Sequence, residues 1–252
     1  MLLTPEDPAP VRVLRETATS DFFLTADHAG RAIPQRLGDL GVSATERQRH
    51  IAWDIGIAGV TEHLSALLDA TAVLQTYSRL VIDCNRHPSW SSAIPEISEH
   101  TPIPGNHDLS AADRAARVDA IFTPYHSRIG SLLDARNGGR TIVVAMHSFT
   151  PSFKGQSRAM QVGVLHDTDK TLAHILLDLL RREPNLTVGD NSPYALADDS
   201  DYSLPTHGAK RGLRHVEIEI RQDLIATPEG QQAWAQRFAR LLTQADAALK
   251  AA

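Results

Sequence analysis

The sequence has little cysteine, no long apolar run and no excess of positive charge, and each shortage excludes a class of protein. Cys84 is the single cysteine, so we expect no internal disulfide and a reducing compartment, the cytoplasm. No apolar run approaches the roughly 20 residues that span a bilayer, and the opening residues MLLTPEDPAP lack the basic and apolar regions of a signal peptide. We therefore expect neither membrane insertion nor export.

The charge and length narrow the remaining classes. The net charge is -5. Proteins that bind nucleic acid usually carry a basic face, so we do not expect nucleic acid as a partner. With 252 residues, of which 42% are hydrophobic, the chain can bury one large core, and we expect a single domain over residues 1–252. Histidine, by contrast, is abundant. The twelve histidines favour a metal or acid/base site, because histidine is the commonest metal ligand.

Strand and helix patterns alternate along the chain. Ser43 and Glu46 form a capping-box signature that predicts a helix running through about residue 70. Further helices are predicted from Ser110, over 167–183 and from Thr227. Strands are predicted at DFFLTAD (21–27), TAVLQTY (71–77), RLVIDC (79–84), TIVVAMHSF (141–149), QVGVLH (161–166), LTVGD (186–190) and RHVEIEIRQ (214–222). This alternation predicts an α/β fold, in which helices cover both faces of a mostly parallel sheet.

Polar residues whose side chains can bind a metal or take part in catalysis follow these apolar runs. In parallel sheets the ligand site lies beyond the carboxyl ends of the strands, so these residues are expected to meet. Two histidines and a carboxylate from separate strand ends are the usual protein ligands of catalytic zinc, and a further carboxylate can act as general base. The residues are His28 after FFLTAD, Asp83, Asn85 and Arg86 after LVI, His147 after IVVAM, and Glu219 within VEIEI.

Each of these residues also has a purely structural interpretation. His28 could be a turn residue in DHAG, and His147 could be a hydrogen-bonded core histidine. Glu219 alternates with Glu217, a pattern that an edge strand with one solvated face would also show. Asp83 could form a structural ion pair with Arg86. Several independent strand ends would each need such an explanation, which favours the functional interpretation.

Several segments resemble a known family. VIDCNR, MHSFT and IEIRQD resemble, in the same chain order, motifs of zinc carboxypeptidases. The set DHAGRAIP, RHIAWDIG, YSRLVIDCNR, IPGN, PYHSRI, HSFTP, VGDNSPY and RGLRHVEIEIRQDLI resembles the N-formylglutamate amidohydrolase family over about Thr25 to Ile225. The resemblance implies a single-domain phosphorylase/hydrolase-like fold with a mixed, mostly parallel sheet. It also implies a zinc-dependent amidohydrolase.

The resemblance also implies residue roles. His28 and His147 would bind zinc, and Asp83 would accept a hydrogen bond from His28 and orient it. Glu219 would take the proton of the attacking water. Arg79 would stabilise the developing oxyanion.

The third metal ligand departs from the peptidase pattern. The peptidases have a glutamate three residues after the first histidine, whereas this chain has Arg31 three residues after His28. The amidohydrolase family has an acidic residue at the place of Asp54, in HIAWDIG, so we expect Asp54 to complete the site. Asp27 and Asp83 are the alternatives.

The remaining matched segments imply a substrate pocket. A guanidinium binds a carboxylate through two parallel hydrogen bonds, which suits a small anionic N-acyl amino acid as substrate. Hydrolysis of its formyl or other small acyl group is the expected reaction. A carboxypeptidase, a peptidoglycan-peptide hydrolase with the same zinc site, or a non-catalytic ligand-binding relative are the alternatives. The expected substrate-binding residues are Asn85, Arg86, Asn191, Tyr194, His207 and Arg211.

Overall fold

A seven-stranded mixed sheet forms the centre of the fold. The structure is a computed structural model that describes residues 1–136, 139–167, 169–196 and 201–251. The sheet has the strand order β1-β3-β2-β6-β11-β9-β10. Its strands are β1 (Val11–Leu14), β2 (Phe22–Ala26), β3 (Thr71–Gln75), β6 (Ile142–Phe149), β9 (Val162–Leu165), β10 (Val188–Asp190) and β11 (Arg214–Arg221). Strands β3, β2, β6 and β11 are mutually parallel, so their carboxyl ends lie at one edge.

The remaining strands form two short hairpins, and helices connect the strands. One hairpin pairs β4 (Ile97–Ser98) with β5 (Thr101–Pro102), and the other pairs β7 (Ser152–Phe153) with β8 (Gln156–Ser157). None of the described helices is long and apolar enough to cross a membrane. The α-helices are α1 (Ile57–Leu68), α2 (Ala111–Arg117), α3 (Thr123–Ala135), α4 (Thr171–Arg181), α5 (Ser203–His207) and α6 (Pro228–Ala251).

Each face of the sheet has its own buried core. Helices α1, α4 and α6 pack on one face against strand residues such as Leu24 and Ile218. Helix α3 packs on the other face, against residues such as Phe23 and Val73. Side chains alternate between the faces along each strand, which is why neighbouring residues of β2 belong to different cores. The predicted α/β class, with helices on both faces of a mostly parallel sheet, is confirmed.

The helix predicted from Ser43 through about residue 70 is wrong in its first half. Only a short 3-10 turn, Glu46–Gln48, forms there, and the α-helix begins at Ile57. Gly56, with φ of +82°, precedes the helix in the left-handed region that glycine adopts without strain. Asp54 therefore lies in a turn before α1 and not on a helix.

The strand predicted at RLVIDC is also wrong, because residues 79–84 form turns. Two buried side chains donate hydrogen bonds to carbonyl groups that would pair with a neighbouring strand if this segment were in a sheet. Arg117 donates to the carbonyl oxygen of Val81 (2.9 Å), and Asn106 donates to that of Leu80 (2.8 Å). The apolar run is buried as a strand would be, but two of its carbonyl groups accept hydrogen bonds from side chains distant in sequence.

Strand β11 is not an edge strand. It lies between β6 and β9, and its residues His215 to Ile220 are buried. Val216, Ile218 and Ile220 belong to the core under α4 and α6. Because side chains alternate along a strand, Glu217 and Glu219 face the opposite side of the sheet, where both are buried.

Candidate active site

A cavity of about 470 Å³ opens at the carboxyl edge of the parallel strands. His28 follows β2, while His147 and Glu219 lie near the ends of β6 and β11. All three side chains line the cavity. The three residues come together as expected, because the neighbouring parallel strands β2, β6 and β11 end at the same edge of the sheet.

His28, Asp54 and His147 form a buried cluster whose geometry suits a metal ion. One potential ligand atom from each lies within 4.8 Å of the other two. Asp54 Oδ2 is 3.0 Å from His147 Nδ1 and 3.5 Å from His28 Nδ1. His28 Nδ1 is buried and has no hydrogen-bond partner among the described residues. Two imidazole nitrogens and a carboxylate oxygen that converge in this way are a donor set that fits zinc.

Backbone contacts hold Asp54 in this position. Its amide donates to the carbonyl oxygen of His28 (2.9 Å), and the Ser148 amide donates to Asp54 Oδ2 (3.1 Å). The Ser148 hydroxyl donates to the carbonyl oxygen of Ile55 (3.0 Å). The turn that carries Asp54 is thus bound both to the segment after β2 and to the end of β6.

Asp83 and Arg79 lie behind His28. His28 Nε2 is 2.7 Å from Asp83 Oδ1, and Arg79 approaches Asp83 Oδ2 through Nη2 (2.6 Å) and Nε (3.0 Å). Burial opposes ionisation of Asp83, but Arg79 and His28 hold its pKa well below the usual value. Arg79 also faces Asp54, with Nη1 3.5 Å from Oδ1. Asp83 thus accepts from His28 on the side away from Asp54.

The electrostatic field of the cluster favours a cation. Burial opposes protonation of both histidines, yet carboxylates raise the pKa of His28 and raise that of His147 well above its usual value. Glu217, Asp27 and Asp54 contribute to the shift at His147. The same negative potential that stabilises a proton on these rings would stabilise a metal ion there.

Two glutamates on β11 lie beside the cluster. Glu219 pairs in register with His147 across β11 and β6, so their side chains share a face. Glu219 Oε2 is buried without a hydrogen-bond partner among the described residues. Burial raises the pKa of Glu219 well above its usual value, and it raises the pKa of Glu217 to about 7. Both line the cavity, and positive charge at the neighbouring cluster would favour ionised Glu219.

Asn85 and Arg86 line the cavity wall formed by the turn after Asp83. The Asn85 amide nitrogen Nδ2 donates to Asp201 (2.9 Å), and Arg86 Nη1 is 3.4 Å from the same carboxylate oxygen. The backbone amides of Tyr202 and Ser203 donate to Asn85 Oδ1 (both 3.0 Å). Asn85 therefore joins the turn to the start of α5, beside the Arg86 guanidinium.

Tyr194 also lines the cavity, and Arg158 holds it there. Arg158 Nη1 donates to the Tyr194 hydroxyl oxygen (2.9 Å), and its guanidinium packs over the rings of Phe153 and Tyr194. Because the hydroxyl oxygen accepts from Arg158, its proton is available for another acceptor. Gly163 permits this arrangement: a Cβ there would lie 2.1 Å from the carbonyl oxygen of Ser192, at the start of the turn.

Three of the expected substrate-binding residues do not line the cavity. Asn191 accepts from the backbone amide of His166 (2.8 Å). His207 is buried and its Nε2 lies 2.9 Å from His126 Nδ1. Arg211 pairs with Asp134 on α3 (2.5 Å). These contacts give no support to a direct role in substrate binding.

No sequence motif marked two residues at the mouth of the cavity. Glu99 and His50 both line it. Glu99, between β4 and β5, pairs with Arg49 and accepts from the backbone amide of Lys154 (3.2 Å), between β7 and β8. The two hairpins are thereby joined at the mouth. Proline, serine and glycine recur between residues 88 and 106, which is typical of a long loop, but this composition carries no signal for these contacts.

Comparisons with known proteins agree with this fold and identify a family. The family model for N-formylglutamate amidohydrolase matches residues 20–226. Among solved structures, a gene product from Agrobacterium tumefaciens is 39% identical, with a TM-score of 0.95 and coverage of 99% of this chain and 100% of that chain. No curated protein matches the chain significantly.

More distant structures share the fold alone. N-formylglutamate amidohydrolase from Ralstonia eutropha JMP134 is 21% identical, with a TM-score of 0.69, over 97% of this chain and 100% of that one. A bacteriophage poly-gamma-glutamate hydrolase is 10% identical, with a TM-score of 0.51, over 98% and 93%. The phosphorylase/hydrolase-like fold and the family resemblance expected from the sequence are confirmed.

Proposed function

The chain belongs to the N-formylglutamate amidohydrolase family, hydrolases that act on amide bonds, and we propose that it is a zinc-dependent enzyme that cleaves a small N-acyl amino acid. The observation that carries the proposal is the buried cluster of His28, Asp54 and His147 with Glu219 beside it. The products would be a small carboxylate, formate for a formyl group, and the free amino acid.

The metal site of this proposal consists of His28, Asp54 and His147. Zinc held by these three residues would supply a Lewis acid and a lowered pKa for coordinated water. Asp83 keeps the His28 ring oriented through its 2.7 Å contact with Nε2. The three side chains are almost fully buried, which strengthens the charge interactions between them.

The protein groups then carry the proton and the developing charge. Glu219 accepts a proton from the attacking water and delivers it to the leaving amine nitrogen. Its side chain faces the cavity on the same side of the sheet as His147. Arg79 faces the cavity next to Asp54 and stabilises the oxyanion that forms from the scissile carbonyl.

The substrate class follows from the cavity and the family. A volume of about 470 Å³ falls in the range of small-molecule pockets, about 300–1,000 Å³. Arg86 and Asn85 on the cavity wall bind the substrate carboxylate, the guanidinium through charge-assisted hydrogen bonds. The Tyr194 hydroxyl faces the same cavity as a further donor. An N-formyl or N-acyl amino acid related to N-formylglutamate suits these groups.

Metal analysis combined with a substrate assay tests the proposal. We expect about one zinc per chain, and hydrolysis of N-formyl-L-glutamate that is lost on chelation and restored by zinc. Zinc without turnover of any N-acyl amino acid, but with cleavage of short peptides, would favour the carboxypeptidase alternative. Zinc with no turnover in either panel would favour a non-catalytic ligand-binding relative.

A Glu219→Gln variant tests the catalytic assignment. We expect kcat to fall by about 100- to 10,000-fold, the usual contribution of a general base, while the zinc content stays the same. Glu6→Gln, at an exposed position near the amino terminus, is the matched control and should retain wild-type kcat. Retention of most activity by Glu219→Gln would contradict the mechanism.

A further inference from the structure

We infer that Asp27 is a positioning residue for His147, holding its ring from the side opposite Asp54 as Asp83 holds the ring of His28. The inference rests on the proposed metal site. It assigns Asp27 a task that differs from the metal-ligand role considered for it as an alternative to Asp54.

The two nitrogens of His147 face different carboxylates. Nδ1 lies 3.0 Å from Asp54 Oδ2, whereas Nε2 lies 3.5 Å from Asp27 Oδ2. The two ring nitrogens point in divergent directions, so a ligand that shares a metal with Nδ1 cannot be the group that Nε2 faces. Asp54 therefore occupies the metal side of the ring, and Asp27 the outer side.

His28 shows the same arrangement. Its Nδ1 faces Asp54 (3.5 Å) and its Nε2 faces Asp83 (2.7 Å). The two rings meet edge to face, with centroids 5.0 Å apart. Each imidazole thus presents Nδ1 to the shared carboxylate and Nε2 to an outer carboxylate. Asp27 completes at His147 the pattern that Asp83 establishes at His28.

A buried carboxylate such as Asp27 needs donors close by, and the His147 ring and the Tyr125 hydroxyl both lie beside it. Its side chain is 0% exposed, and neither carboxylate oxygen has a hydrogen bond among the described residues. An ionised carboxylate without partners in a protein interior is strongly unfavourable. His147 Nε2, 3.5 Å from Asp27 Oδ2, lies slightly beyond the usual hydrogen-bond length, and we expect this contact to shorten when the metal is bound. Glu217 Oε2, at 4.0 Å from the same nitrogen, is the more distant acid.

The expected effect of this contact is on metal affinity. A carboxylate that accepts the outer N–H of a metal-bound histidine fixes the tautomer and orients the ring, and loss of such a group typically weakens metal binding by about 10- to 100-fold. Asp27→Asn removes the charge and keeps the shape. We expect a 10- to 100-fold rise in its zinc dissociation constant, close to the rise for Asp83→Asn, which serves as the positive control.

The experiment measures zinc dissociation constants by chelator competition for wild type, Asp27→Asn, Asp83→Asn and Asp119→Asn. Asp119 is exposed on the π-helical turn Val118–Phe122, so its variant should bind zinc like wild type. An Asp27→Asn constant within twofold of wild type would overturn the inference. Asp54→Asn is measured in the same way. Complete loss of zinc from Asp27→Asn, with Asp54→Asn still binding zinc, would make Asp27 a ligand and also overturn the inference. Absence of zinc binding by wild type would instead refute the proposed function.

A measurement on the wild type covers the case in which Asp27→Asn does not fold. In the zinc-loaded protein, nitrogen-15 NMR of the histidine side chains distinguishes metal-bound nitrogens from protonated ones. We expect His147 Nε2 to carry a hydrogen-bonded proton and Nδ1 to bind the metal. Metal bound to Nε2 of His147 would overturn the inference whatever the variants show.

Discussion

Replacement of Arg117 by leucine should destabilise the fold through the segment that carries the site. Arg117 is 1% exposed, and burial lowers its pKa to about 10. Its Nη1 donates to Val81 O (2.9 Å) and Asn106 Oδ1 (2.6 Å), and its Nη2 donates to Gly105 O (2.9 Å). These bonds hold the turns that lead into Asp83, since a strand pairing is absent there.

The size of the expected loss in unfolding free energy follows from the three acceptors that leucine at position 117 would leave without a donor. A hydrogen bond to a charged group contributes about 1.5–3 kcal/mol net, whereas removal of the buried charge returns part of its desolvation cost. We therefore expect Arg117→Leu to lower the free energy of unfolding by about 3–5 kcal/mol, a large share of the 5–15 kcal/mol typical of a folded domain.

Equilibrium urea unfolding at fixed zinc concentration measures this difference. Arg114→Leu is the matched control, because Arg114 lies on the same helix α2 and is only partly buried. The control should change the free energy of unfolding by no more than about 0.5 kcal/mol. A loss below about 1 kcal/mol for Arg117→Leu, with an unchanged m value, would refute the reasoning that this guanidinium holds the segment.

Two further changes test other parts of the structure. Burial, together with a neighbouring histidine, lowers the pKa of His207 to about 3 from 6.5, so the unfolded chain binds the proton first as the pH falls. Wild type should lose up to about 1.4 kcal/mol per pH unit below pH 6.5 through this group, and His207→Gln should remove that loss; parallel curves of unfolding free energy against pH would contradict this. Gly163→Ala places a Cβ 2.1 Å from the carbonyl oxygen of Ser192, so Tyr194 should shift and kcat/KM should fall by about 10- to 100-fold with zinc content unchanged. Gly130→Ala, where a Cβ meets only a flexible side chain, is its control, and equal activities of the two variants would show that the Tyr194 turn does not contribute.

The strands and the chemistry at their ends were predictable from local pattern. Runs such as TIVVAMHSF and RHVEIEIRQ are apolar, β-branched and bounded by polar residues, and they form β6 and β11. His28, His147 and Glu219 lie at or just beyond such runs. Parallel neighbours end at a common edge, so their convergence followed once the sheet was expected to be parallel.

The placement of Asp54 and the turns at 79–84 was not predictable from pattern. Apolar periodicity reports that a residue is buried, not which group takes its hydrogen bonds. Residues 79–84 are as apolar as a strand, yet Arg117 and Asn106, more than 20 residues away, bind their carbonyl groups. The positive φ of Gly56, which ends the turn holding Asp54, likewise interrupts a region whose composition favours a helix.

For the expected substrate-binding residues, the sequence likewise predicted some positions correctly and not others. Asn85, Arg86 and Tyr194 line the cavity, whereas His207 and Arg211 have their contacts elsewhere. A motif places a residue near a site along the chain, but the direction of its side chain depends on the elements packed around it.

By itself, the sequence determined the α/β class, the family and the residue types of the site, because apolar period and ordered motifs are local properties of the chain. Only the tertiary structure decided which atoms face one another. It sets Asp54 between the Nδ1 atoms of His28 and His147, and it turns the outer nitrogen of each ring toward Asp83 or Asp27. These directions arise from packing and hydrogen bonds between segments far apart in the chain, which no local pattern encodes.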